Sequence, residues 1–118
     1  MRINKVIVAG TRYFNDYNLM RTKLDCFLKN LTNVEIVSGA ARGADTLGER
    51  YAKEHNMQIK QFPADWDKYG KRAGYIRNSQ MADYADYLVA FWDGKSRGTL
   101  LMINLAKKKG LKIKVVNY

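Results

Sequence analysis

Three times in this chain a short apolar run ends in a glycine-containing turn that opens into a helical pattern, and this recurrence limits the fold more than any other feature. The middle copy, Val34 to Asp45, reads Val-Glu-Ile-Val-Ser-Gly-Ala-Ala-Arg-Gly-Ala-Asp. Val34, Ile36 and Val37 are β-branched and suit a strand. Gly39 and Gly43 let the backbone take a positive φ or approach a ligand closely. A helix that begins just beyond them presents unpaired backbone N–H groups and the positive end of its dipole, a site for an anion such as phosphate. The plainer reading, a short strand-to-helix connection, stands beside it.

The first copy is Val6-Ile7-Val8-Ala9, ending at Gly10-Thr11-Arg12; the third is the strand Asp86 to Phe91, ending in the turn Trp92 to Thr99. Both runs are apolar on both faces, as central parallel strands must be. Helical stripes are predicted from Asp16, placed as a cap, to Leu31, from Ala44 to His55, from Tyr75 to Tyr84, and from Gly98 to Lys109 with Gly110 as the stop. Gln58 to Phe62, closed by Pro63, and Lys112 to Val116 complete five strands. Five strands alternating with four helices imply right-handed crossovers and a parallel α/β sheet covered on both faces. With the order 3-2-1-4-5, the turns at Gly10 to Arg12, Ser38 to Gly43 and Gly94 to Thr99 all leave strand carboxyl ends and converge on one crevice.

Between the third strand and the next helix, Ala64 to Gly74 is expected to be an irregular loop. It is either a binding lid or a surface connection in which Trp66 packs on the core and Lys71 and Arg72 are solvated. Arg77 and Asn78 fall in the first turn of the following helix, where the dipole disfavours a cation, so a nearby anion or carboxylate is expected for Arg77.

Composition bounds the function. A chain of 118 residues, 47% hydrophobic, fits one domain. A net charge of +10 favours acidic partners such as nucleotides, nucleic acid or a membrane surface. The single cysteine, Cys26, cannot form an internal disulfide and reads as a small core or boundary residue; His55, the one histidine, reads as structural at a helix end. No Cys/His cluster has metal-ligand spacing, and neither metal nor cofactor is expected. The amino-terminal residues lack a leader pattern and no apolar run approaches the ~20 residues of a membrane span, so a cytoplasmic protein without a membrane partner is expected.

The residues Gly10-Thr11-Arg12, Ser38 to Asp45, Pro63-Ala64-Asp65-Trp66, Ala73 to Asn78 and Ser96-Arg97-Gly98-Thr99 together resemble the YspA-type branch of the SLOG superfamily, across nearly the whole chain. The resemblance implies a single Rossmann-like domain that recognises nucleotides or nucleotide-derived ligands, and pairing into a homo-oligomer. The superfamily includes the cytokinin-activating, lysine-decarboxylase-like phosphoribohydrolases and the DNA-processing protein DprA. The phosphoribohydrolase Arg-x-x-x-Met followed by Ala-Asp is similar to Arg77, Met81, Ala85 and Asp86, and its Gly-Gly-x-Gly-Thr turn resembles Gly94 to Thr99. Where those enzymes continue Gly-Thr-Leu-Glu-Glu, this chain has Gly98-Thr99-Leu100-Leu101-Met102. Both carboxylates are missing, and cleavage of an N-glycosidic bond needs a carboxylate for its oxocarbenium-like state.

Three functions compete. In a nucleotide-binding module, backbone N–H groups after Gly39 and Gly98 cradle phosphate, and Thr11, Ser38, Ser96 and Thr99 add hydroxyls. Arg12, Arg42 and Arg77 neutralise charge, and Trp66 or Trp92 stacks on a base. In a glycosidic hydrolase, Asp45 or Asp93 replaces the missing acids; alternatively Asp45 holds a ribose hydroxyl or favours its helix end, and Asp93 shapes its turn. In a nucleic-acid-binding protein, Lys107, Lys108, Lys109, Lys112 and Lys114 carry the charge, a run that equally suits a solvated helix end.

Overall fold

The computed structural model describes residues 2–118. Strands β1 (Asn4–Gly10), β2 (Val34–Ser38), β3 (Gln58–Gln61), β4 (Tyr87–Trp92) and β5 (Lys112–Asn117) form one parallel sheet in the order 3-2-1-4-5. The helices are α1 (Tyr17–Leu28), α2 (Ala44–Glu54), α3 (Trp66–Tyr69), α4 (Ala73–Tyr84) and α5 (Arg97–Lys109). The expected α/β architecture and strand order are both present.

Alternation along β1 splits the core in two. Val6 and Val8 point to the face packed by Met20 and Leu24 of α1 and by Tyr51 and Ala52 of α2. Ile7 and Ala9 point to the opposite face, against Met81 and Ala82 of α4 and Met102 and Ala106 of α5. A central strand must be apolar at every position for this to work, and burying each large side chain contributes roughly 1.5–3 kcal/mol. The termini behave as their residues dictate. Asp16 accepts from the Leu19 N–H at 3.0 Å to cap α1, and Gly110, with φ 80° and ψ 21°, ends α5 in the left-handed conformation.

Three expectations need correction. The segment Ala64 to Gly74 is largely helical: Asp65 caps α3 by accepting from the Lys68 N–H at 3.1 Å, a 3₁₀ turn covers Gly70–Arg72, and α4 follows at Ala73. The segment has almost no apolar periodicity because α3 and the 3₁₀ turn bury no side chain, so only the cap betrays it. Arg77 consequently lies a full turn into α4, beyond its first turn. Cys26 is exposed on α1 rather than buried in the core.

Candidate phosphate-binding crevice

The order of the strands reverses between β1 and β4, and there their carboxyl ends open a cavity of about 500 Å³. Gly10, Thr11, Arg12 and Tyr13 line it from β1, while Asp93, Lys95, Ser96, Gly98 and Thr99 line it from the β4–α5 turn. Asp45 enters from α2, and Arg77 and Asn78 from α4.

Thr11 is pinned through its backbone. Its N–H donates to the Phe91 carbonyl at 3.1 Å, and its carbonyl accepts from the N–H groups of Phe14 and Ala44. The side chain is 6% exposed, and Oγ1 has no hydrogen-bond partner among the described residues. Buried polar atoms are nearly always paired, and leaving one unpaired costs about 1–3 kcal/mol.

The turn after β4 is ordered by Asp93, whose Oδ1 accepts from the N–H groups of Lys95 at 2.9 Å and Ser96 at 2.8 Å. These bonds, first Ser96 and then Lys95, hold its carboxyl below the ordinary aspartate range. Asp93 therefore shapes its turn. Ser96 caps α5 by accepting from the Thr99 N–H, which leaves the amino end of the helix facing the cavity at Gly98, where no atom would meet an added Cβ.

The turn after β2 is spent differently, and this corrects the expected cradle. The Ala40 N–H donates to Ser38 Oγ, the Ala41 N–H to Asp45 Oδ2, and the Ala44 N–H to the Thr11 carbonyl. Ser38, expected to offer a hydroxyl, is fully buried and donates to Glu49 at 2.6 Å. A Cβ on Gly39 would lie 2.6 Å from Arg77 Nη1 and 2.8 Å from Asp45 Oδ2, so its small size admits these two side chains. Gly43, at φ 76°, lies so close to the carbonyls of Thr11 and Arg12 that a Cβ would collide with both. Its role is to dock α2 on the end of β1.

Asp45 is 6% exposed, and burial pushes its carboxyl up to about 6 against the opposing pull of the Ala41 N–H and Arg77. Arg77, partly buried, is held by the Gly39 carbonyl through Nη1, by Asn78 Oδ1 through Nε at 2.8 Å, and by the nearby charge of Asp45. Its burial lowers its own affinity for the proton.

Of the other predicted residues, Arg42, Gly39 and Trp66 line an adjoining hollow of about 270 Å³ that shares Arg12, Ala41 and Arg77 with the main cavity. Trp92 and Gly94 line neither: the indole N–H donates to the Ser96 carbonyl at 3.0 Å, and Gly94 turns the chain at φ 80°. Tyr13 and Lys95 escaped the sequence reading. Tyr13 could have been found as an aromatic directly after the Gly10 turn and four residues before α1, and Lys95 as a cation inside a glycine turn. No group of three or more His, Cys, Asp or Glu side chains among the described residues could hold a metal ion.

Residues 4–69 match the family described as YAcAr, the YspA, cpYpsA-related SLOG family. The chain belongs to this family. It is 32% identical over 123 residues to the Gene 61 protein of Mycobacterium phage D29, covering 98% of this chain and 97% of that one. Two solved structures share the SLOG fold at lower identity. DNA processing protein A of Streptococcus pneumoniae has a TM-score of 0.77 at 19% identity, over 96% of this chain and 50% of that one. DprA of Helicobacter pylori, in a structure describing its single-stranded DNA binding mode, has a TM-score of 0.68 at 22% identity, over 95% and 64%. This YAcAr chain thus spans half to two-thirds of the DprA chains it matches, and no helix among its described residues is long and apolar enough to cross a membrane.

Proposed function

We propose that this YAcAr protein binds a phosphorylated nucleotide-type ligand in the crevice between β1 and β4. The observation that carries the reading is the unpartnered hydroxyl of Thr11, buried just beneath the surface in a residue that lines the same cavity as the amino end of α5. A phosphate there accepts from Thr11 Oγ1 and from the helix N–H groups, with Arg12 and Lys95 neutralising its charge. Among the described residues neither cation is engaged in an ion pair, so both are available. Tyr13, 90% exposed at the rim, offers its ring to the base. Binding is favoured over glycosidic cleavage because Asp93 is committed to its turn, which leaves Asp45 without a second positioned acid.

Calorimetry with mono-, di- and cyclic nucleotides tests the reading. Micromolar binding that Thr11→Val weakens is expected; no binding in that range overturns it.

A second reading, a nucleic-acid strand as the source of the phosphate, is favoured by the charge of +10 and by the single-stranded DNA binding described for the Helicobacter pylori DprA. Under this reading a strand competes with the mononucleotide for the crevice.

A further inference from the structure

The hollow beside the main cavity has features that a single nucleotide in the crevice would leave unused. Its wall is the backbone of Ala40, which holds φ 58°, a conformation costly for a residue with a Cβ. Strained positions of this kind persist where the surroundings over-determine them, and they cluster at ligand clamps. Here the surroundings are the Ala40 N–H bond to Ser38 Oγ at 3.1 Å and the Arg77 bond to the Gly39 carbonyl. Opposite stands Trp66, 51% exposed on a helix that buries nothing, its ring edge packed near Gly74. A large indole left half in solvent on a capped, coreless helix has ring surface free to meet another aromatic ring.

The two hollows meet at Arg12, Ala41 and Arg77. Each hollow has one exposed aromatic ring among its lining residues, Tyr13 in the first and Trp66 in the second. The exposed Arg12 guanidinium lies at the divide, where a bridging phosphate would sit. Resting on the function proposed above, we infer that the site takes a ligand of two nucleobases joined through phosphate, one base on Tyr13 and the other on Trp66. A free dinucleotide and the terminal pair of a single strand share this chemistry.

The test is calorimetry of the full chain with AMP, a terminally phosphorylated adenine dinucleotide and a long oligo(dA). The dinucleotide is expected to bind at least about 10-fold tighter than AMP, the range that one base–aromatic stack supplies. Trp66→Ala collapses that ratio towards one, Trp66→Phe retains most of it, and Thr11→Val weakens both ligands in parallel. The dinucleotide quenches tryptophan fluorescence in the wild type, and the quenching is reduced in Trp66→Phe. Oligo(dA) no tighter than the dinucleotide identifies the free dinucleotide as sufficient; tighter, salt-sensitive binding identifies the strand. A dinucleotide no tighter than AMP, or a gain that survives Trp66→Ala, overturns the two-base inference and leaves the phosphate site standing. Failure of AMP and the dinucleotide alike overturns both.

Discussion

At the scale of single residues, the crevice trades stability for a vacant hydrogen bond. Thr11→Val removes a buried hydroxyl that has no partner while keeping nearly the same shape. The variant is expected to be more stable by about 1–3 kcal/mol in urea denaturation, even as it binds nucleotide more weakly. A loss of stability would show that the hydroxyl is satisfied inside the protein. Asp45 makes a comparable sacrifice through its charge. Its carboxyl is raised from 3.8 to about 6 in the fold, so between those values the folded protein holds more protons than the unfolded chain. Stability from this group is therefore fully present below pH 4 and falls as pH rises through 6, by about 3 kcal/mol in total. Asp45→Asn, neutral throughout, should match the wild type near pH 4 and exceed it by about that amount at pH 7. Equal stabilities at both pH values would show that burial does not control this carboxyl.

At the scale of elements, the crevice depends on how α2 is seated against β1. Gly43 turns the chain at φ 76° against two carbonyls of the β1 turn, and Gly48 brings α2 within 2.8 Å of Val8 as measured from an added Cβ. Gly43→Ala is expected to cost about 2–5 kcal/mol, combining backbone strain with overpacking, and to lower the melting temperature more than Gly98→Ala. Gly98 faces open space, so alanine there costs the fold nothing and obstructs only the cavity. These two glycines look alike in the sequence, and only the packing separates them. The same holds for much of the site. The strands, their order and the caps at Asp16 and Gly110 were legible because hydrophobic alternation and capping chemistry act locally. The commitments of Ser38 and Gly39 were not, because they depend on which side chains arrive from other elements, Glu49 and Arg77, whereas the turn-shaping role of Asp93 is local and was one of the readings its sequence offered. The helix α3 was missed because it contributes nothing to the core and so leaves no apolar stripe.

At the scale of the whole molecule, the positive charge is divided between opposite ends. The lysines at 107 to 109 close the 13-residue helix α5, whose first turn lines the crevice, so they lie about 15 Å from it along the helix axis. Lys112 begins β5 at that same far end, and Lys109 pairs with Asp83 at 2.7 Å. If a strand of nucleic acid binds in the crevice, its salt dependence is expected to come from Arg12, Arg42 and Lys95. Arg12→Ala should then reduce the slope of log affinity against log salt by about 0.7–0.9, and triple alanine substitution of Lys107, Lys108 and Lys109 should leave it unchanged. The reverse pattern would place the strand along α5.

Every loop that lines the crevice leaves the carboxyl edge of the sheet, whereas the exposed bend at Lys29 and Asn30 leads into the amino end of β2. A tag or fusion domain spliced into that bend would sit across the molecule from the crevice and leave every surface that lines it unaltered.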